Sequence, residues 1–233
     1  MMDEQQPPAP ESPPAQESPP ATVPEVPPES AFDMLFERGR VTFIAIVLLV
    51  EVALFMLAIV VPVDANLRQQ LVAQGQSALP STNTSAGALV GLIVANNLRV
   101  ALLEMVPAFG FILLPISILA SGIIVQGFAI SNAVSPAVVA FSYLLLPFTF
   151  VELLAYAIAL VSGTMVLVAW RRRRLHREAK VFALEIAAIV VVLTVAAAME
   201  TISIFSPLLG ILLWLPLAVA AVPVILRIVK QRP

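Results

Sequence analysis

The chain has 233 residues, of which 60% are hydrophobic and 12% are charged, and its mean hydropathy is +0.97. A water-soluble domain needs more polar surface than this, so lipid must be the solvent for much of the chain. The absence of cysteine excludes disulfides and thiolate chemistry, and a single histidine, His176, excludes a histidine-rich metal site. We therefore expect neither a metal nor a cofactor. The net charge of −2 combines an acidic N-terminal segment with a basic remainder. Because those basic residues lie at predicted membrane edges, we expect no nucleic-acid binding.

Residues 1–30 form an acidic, proline-rich segment that contains no lysine or arginine. Proline fixes φ and removes backbone donors, and the segment lacks an apolar stretch, so it predicts a disordered tail rather than a signal peptide. The tail is either an acidic spacer, which we favour, or a docking segment for a cytoplasmic partner. Residues 31–233 are predicted to form one transmembrane helical domain.

The apolar segments predict an all-α fold, a polytopic transmembrane helix bundle with about six spans, some of them broken or re-entrant. The predicted spans are about 41–61, 86–106, 108–131, 148–169, 181–200 and 204–227. Residues 31–40 form an amphipathic lead-in, in which Arg38 and Arg40 mark the headgroup level. Residues 136–146 are predicted to form a tilted, interfacial or re-entrant half-helix, because Pro147 divides an apolar run too long for one crossing. Part of the polar loop 63–85 has the spacing of an interfacial helix.

Basic residues cluster before the first span, after the last span and in the loop 171–180. Six crossings place all three clusters on one side, which the positive-inside rule makes cytoplasmic. Five crossings with one re-entrant pair satisfy the same bias. Both termini are then cytoplasmic, and the loop 63–85 lies outside. That loop contains Asn83-Thr84-Ser85, which matches an N-glycosylation acceptor, although such a tripeptide often arises by chance.

Several charged residues interrupt the apolar segments. They are Glu51, Arg99, Glu104, Glu152, Glu185 and Glu200. A charge at mid-bilayer costs about 2.5–3.5 kcal/mol on insertion scales, so each group should face the protein interior, be paired or be protonated. We predict a polar core of Asn96, Asn97, Arg99, Glu152 and Glu200, in which Glu152 is the buried partner of Arg99. A structural clamp between helices is favoured over an ion or proton path and over a polar core that holds a partner helix. Glu104 and Glu185 lie nearer the cytoplasmic face and are expected to reach the headgroups.

Glycines recur at positions that favour close helix packing. Gly87, Gly91 and Ala95 are spaced every four residues, which lets two helix backbones approach. Gly122, Gly127 and Gly163 are predicted to act in the same way.

Four stretches together resemble the stage II sporulation protein M family of small prokaryotic membrane proteins. They are Asn96-Asn97-Leu98-Arg99, Ser121-Gly122-Ile123-Ile124-Val125-Gln126-Gly127, Leu146-Pro147 followed by Glu152 and Gly163, and Ala197-Ala198-Met199-Glu200. The resemblance covers roughly residues 85–205. Ser121 stands where the family often has asparagine, and Phe148-Thr149 stand where it has His-Gly. The missing histidine weakens any proton relay around Glu152.

The resemblance implies a subunit of a membrane complex in the plasma membrane of a prokaryote. The family member of spore-forming bacteria is a scaffold that acts with two partners in remodelling peptidoglycan during engulfment. A noncatalytic scaffold, in contact with the lipid bilayer and with other membrane or cytoplasmic proteins, is therefore the first hypothesis. The alternative is a transporter or channel-like permease with a polar pocket. A membrane hydrolase is least favoured, because no nucleophile–base pair is visible and we expect no catalytic residues.

Overall fold

The computed structural model describes residues 35–78, 85–173 and 175–230, and the regular structure in these ranges is helical. The helices are α1 (Arg38–Val60), α2 (Ala65–Ala78), α3 (Ala86–Glu104), α4 (Gly110–Ser131), α5 (Pro136–Leu145), α6 (Pro147–Arg171), α7 (Leu175–Phe205), α8 (Pro207–Leu212) and α9 (Trp214–Lys230). The predicted tail 1–30 and the glycosylation acceptor Asn83 lie outside the described residues.

Within the described ranges, six helical segments are long and apolar enough to cross a membrane. They correspond to the six predicted spans, so the prediction of a polytopic helix bundle is confirmed. Pro136, Pro147 and Pro207 each occupy the start of a helix, where the missing N–H is not needed. Helix α7 extends beyond the predicted span at both ends. The half-helix predicted at 136–146 corresponds to α5, which ends at Leu145 in front of Pro147.

Helix α6 is the centre of the bundle. In its apolar stretch, 56% of the residues are buried, whereas the figures are 11% for α3 and 6% for the last span. The core of α6 packs against α7, α1 and α3. Several side chains in this core are wholly buried: Ile59, Val161, Ile189 and Leu193. Helices α3, α8 and α9 therefore form the periphery, and much of their surface is left for lipid or for another protein.

The start of α1, the end of α6 and the start of α7 meet at one end of the bundle, which we call the basic end. Arg40 near the start of α1 contacts Glu178 near the start of α7. At the opposite end, the Gln126 side chain of α4 donates a hydrogen bond of 2.7 Å to the Val61 carbonyl, and α2 packs against α4. The described part of the loop 63–85 thus lies opposite the loop 171–180, as the six-span topology predicts.

Three of the five glycines that were predicted to pack lie where helices touch. A Cβ at Gly122 would lie 2.5 Å from the Ala58 Cβ, and a Cβ at Gly163 or Gly127 would overlap the Met105 carbonyl or the Val72 side chain. No such contact exists at Gly87 or Gly91, where a Cβ would meet no atom within 4 Å. The packing predicted for Gly87 and Gly91 is therefore wrong within this chain, since both residues face away from the rest of the bundle.

This contrast gives a matched pair of substitutions. Gly163→Ala should lower the free energy of unfolding by about 1–3 kcal/mol, because the added methyl group meets backbone rather than a flexible side chain. Gly91→Ala should be neutral or stabilise by up to about 1 kcal/mol, since alanine favours the helix and has open space. Unfolding of the purified protein in mixed micelles measures both. Equal effects of the two substitutions would contradict the assigned packing.

Candidate functional site

A polar cavity of about 100 Å³ lies inside the bundle between α3, α4, α5 and α6. Its polar lining consists of Asn96, Asn97, Ser117, Ser121, Tyr143, Thr149, Glu152 and Tyr156. Phe55, Ile118, Phe148 and Leu153 contribute apolar walls. Polar groups gathered around a cavity at membrane depth mark a candidate binding or conduction site.

Helical spacing explains why these side chains converge. On α6, Thr149, Glu152 and Tyr156 are three and four residues apart, so they lie on one face. Ser117 and Ser121 occupy one face of α4 in the same way. The central position of α6 turns its polar face toward α3 and α4 rather than toward lipid, and so builds the cavity.

Two hydrogen bonds organise the cavity wall. The Tyr156 hydroxyl donates to Glu152 Oε1 at 3.0 Å, and Asn96 Nδ2 donates to Asn97 Oδ1 at 3.2 Å. Thr149 Oγ1 is buried and has no hydrogen-bond partner in the described part of the chain. An unmet buried hydroxyl costs about 1–3 kcal/mol, so Thr149 is a group that a bound molecule can satisfy.

The structure brings together only part of the predicted polar core. Asn96, Asn97 and Glu152 line the cavity, and Glu200 on α7 lies close enough to Glu152 to interact electrostatically. Arg99 is exposed on α3, so the ion pair predicted between Arg99 and Glu152 is wrong. The reason is rotational: each residue turns a helix by about 100°, so Arg99 points almost opposite to the buried Asn97.

The clamp expected at Arg99 is instead formed by Arg40. Arg40 is 5% exposed, bonds Glu185 Oε1 at 2.6 Å and also bonds Glu178. Glu185 accepts a further hydrogen bond from Ser162 on α6. Arg40 and Glu185, which were expected at the headgroup level, are both buried within the protein. The available signal was the seven-residue spacing of Glu178 and Glu185, which puts two acids on one face of α7.

A second buried acidic pair lies between α1 and α3. Glu51 is wholly buried, and neither of its carboxyl oxygens has a partner among the described residues. Glu104 is also wholly buried, lies within electrostatic range of Glu51, and its Oε1 lies 2.8 Å from the Ser117 hydroxyl. Glu104 was expected to reach the headgroups, but its side chain is enclosed by protein because α3 ends inside the bundle. In the described ranges, no group of three or more His, Asp or Glu side chains is arranged to hold a metal ion.

A family model for stage II sporulation protein M matches residues 42–207, which is more than half of the chain. The chain belongs to the stage II sporulation protein M family. The matched region contains most of the six spans and every residue that lines the cavity, so the cavity belongs to the part of the chain shared with the family. Arg40, the N-terminal tail and α9 lie outside the match. No curated protein and no solved structure matches this SpoIIM family member.

The buried Arg40 cluster predicts a large loss of stability on removal of the arginine. Arg40→Gln should lower the free energy of unfolding by about 3–5 kcal/mol, because it leaves Glu178 and Glu185 buried without a counter-charge. Arg38→Gln is the matched control, since Arg38 is exposed two residues earlier on the same helix. Unfolding in mixed micelles measures both, and a comparable small effect of the two substitutions would show that the cluster does not hold α1 to α7.

Proposed function

We propose that this SpoIIM family member is a noncatalytic subunit of a membrane complex. In this proposal the outer face of α3 binds a transmembrane helix of a different protein. The supporting observation is Arg99, which is exposed on α3 and has no ion-pair partner among the described residues.

The depth of Arg99 in its span makes exposure of its charge to lipid energetically unfavourable. Arg99 lies roughly 8 Å before the end of α3 along the helix axis. That end is itself internal, because Glu104 neighbours Glu51 near the middle of α1 and Met105 packs against Gly163. Gly163 in turn lies roughly 12 Å along α6 from Arg171. The guanidinium therefore cannot easily reach the headgroups at the basic end, and arginine does not release its proton.

Small residues lie in line with Arg99 on the same helix face. Gly87, Gly91, Ala95 and Arg99 are each four residues apart, and all four are exposed. Around Arg99 the surface forms a shallow groove with Leu98, Leu102 and Leu103. Small residues let a partner backbone approach closely, and a carboxylate on that partner would neutralise Arg99.

Charge complementarity favours a different protein over a second copy of this chain. The acidic residues in the described membrane spans are buried or half-buried, and none is exposed. Two copies that met through α3 would place Arg99 near Arg99 and supply no carboxylate between them. The partner helix should therefore carry its own aspartate or glutamate at the depth of Arg99. We further propose the plasma membrane of a prokaryote as the location, with both termini cytoplasmic.

Photocrosslinking in native membranes tests this interface. A photoreactive phenylalanine analogue at Leu92, exposed on α3, should give a heterologous adduct, whereas the same group at Val191, exposed on α7, should not. Mass spectrometry of the adduct should identify a partner span that contains an acidic residue. An adduct between two copies of this chain, or adducts with lipid alone, would contradict the proposal.

Two substitutions sharpen the same experiment. Arg99→Leu and Gly91→Leu should each reduce the heterologous adduct by roughly tenfold or more. Neither should destabilise the isolated chain, since Arg99 forms no ion pair within the described ranges and Gly91 has open space beside it. Ala187→Leu, at an exposed position on α7, is the matched control and should leave the adduct unchanged. Undiminished crosslinking in both α3 variants would remove the role assigned to Arg99.

The polar cavity favours a second candidate function, a transporter or channel-like permease. The helix break at Leu146 precedes Phe148 and Thr149, which line the cavity, and broken helices are tolerated where they border such a space. Because the chain has no cysteine, a single introduced cysteine can be labelled without background from native thiols. In Ser121→Cys the thiol should react with a membrane-impermeant reagent in intact vesicles if water reaches the cavity. Ala197→Cys, in the wholly buried core, should stay unlabelled. Protection of both positions would argue against a permease.

A further inference from the structure

We propose that the cavity between α3, α4 and α6 binds one small monovalent cation, with Glu152 as its charged ligand and Thr149 as a neutral oxygen ligand. The cavity is the one assigned to the second candidate function, and a role of the cation in transport rests on that function. Cation binding itself does not rest on transport, and thermal unfolding in the presence of cations measures binding alone. The cation proposal also does not rest on the proposed partner interface on α3.

The charge around the cavity selects a cation. Glu152 lines the cavity, and Glu104 and Glu200 both lie within electrostatic range of Tyr156 in its wall. No lysine, arginine or histidine of the described chain lines it, and Arg99 is exposed on another face of α3. In a low-dielectric interior, a carboxylate without a counter-charge is costly, so a positive ligand is the complement of this site.

Thr149 provides an observation independent of the acids. It is 5% exposed, it lines the cavity, and its hydroxyl oxygen finds no hydrogen-bond partner in the described ranges. A buried hydroxyl is nearly always satisfied in a folded protein, so its lone pairs are free for a ligand. Thr149 and Glu152 are three residues apart on α6, which puts both oxygens on the same side of the cavity.

Other oxygens can complete the coordination. Asn97 Oδ1 accepts a hydrogen bond from Asn96 and retains a second lone pair. Ser121 adds a hydroxyl from α4. Carboxylate, amide and hydroxyl oxygens are hard ligands, which suit alkali-type cations and also accept hydrogen bonds from ammonium.

Size and charge limit the ligand further. A space of about 100 Å³ holds a small cation with a few waters but is below the roughly 300–1,000 Å³ of pockets for larger organic ligands. Among the described residues, Glu152 is the one carboxylate that lines the cavity. A single negative ligand matches a monovalent ion better than a divalent ion, which usually takes several carboxylates.

Thermal unfolding of the purified full-length protein in lipid nanodiscs tests the proposal. Sodium, potassium or ammonium chloride is titrated against N-methylglucamine chloride at constant ionic strength, with magnesium chloride as a separate arm. A ligand that binds only the folded state raises the midpoint temperature by an amount that grows with the logarithm of its concentration above the Kd. At least one small monovalent cation should raise the midpoint, and the bulky N-methylglucamine ion should not.

Three variants assign the effect to the cavity. Glu152→Gln should weaken the apparent cation affinity by about tenfold or more, and Thr149→Val by about three- to tenfold. Thr201→Val is the matched control, because the Thr201 hydroxyl is also buried and unpaired but does not line the cavity. It should leave the cation response unchanged.

Several results of these unfolding measurements would contradict cation binding in the cavity. No response to any small monovalent cation, a response to magnesium alone, or a monovalent response of undiminished affinity in Glu152→Gln would overturn the proposal. If Glu152→Gln does not fold, Thr149→Val decides, because it removes an unpaired hydroxyl and should not destabilise the fold. Equal cation responses of Thr149→Val and Thr201→Val would then also overturn it.

Discussion

The bundle depends on a charge that is kept away from lipid: Arg40 near the start of the first span. Its guanidinium bonds Glu178 and Glu185 on α7, and Glu185 is bonded in turn by Ser162 on α6. One network therefore holds three helices at the basic end. Removing one member would leave buried charges without partners, whereas the network as a whole is satisfied. A structural clamp between helices thus exists in this protein, but at Arg40 and not at Arg99.

The same constraint makes the exposed position of Arg99 significant. The chain buries Arg40 among carboxylates, yet it leaves Arg99 exposed at a greater distance from the basic end. A surface arginine at the membrane edge is unremarkable, because its side chain reaches water. An exposed arginine deep in a span is unusual, because its side chain does not reach water easily. The row of small residues beside Arg99 lies on α3, which is the least buried of the first five spans. The two features together describe a surface suited to a partner helix.

The sequence predicts the number and order of the helices well because the thickness of the bilayer sets a length that apolar runs reveal directly. Pro147 and Pro207 also predict helix starts, since proline is compatible with the first turn and not with the interior. These are one-dimensional signals. They need no knowledge of which helix lies beside which.

The polar core is only partly predictable, because its formation depends on how each helix is rotated. Asn97 and Arg99 are two residues apart, and the sequence does not say which of them faces inward; the packing of α3 on α6 and α7 decides it. Glu104 and Glu185 lie near span ends in the sequence, yet both are buried because α3 ends inside the bundle and Arg40 reaches inward. Helix depth and rotation are tertiary properties that apolar length does not encode.

Helix α3 connects the two candidate functional features of the molecule. Its inner face contributes Asn97 to the wall of the cavity, while its outer face presents Arg99. Helix α3 is also lightly buried, with 11% of its apolar stretch covered, so fewer contacts fix its position than fix α6. A partner that binds Arg99 would stabilise one position of α3, and with it one arrangement of the cavity wall. Partner binding and cation binding would then be coupled through this helix, and each would strengthen or weaken the other by the same factor.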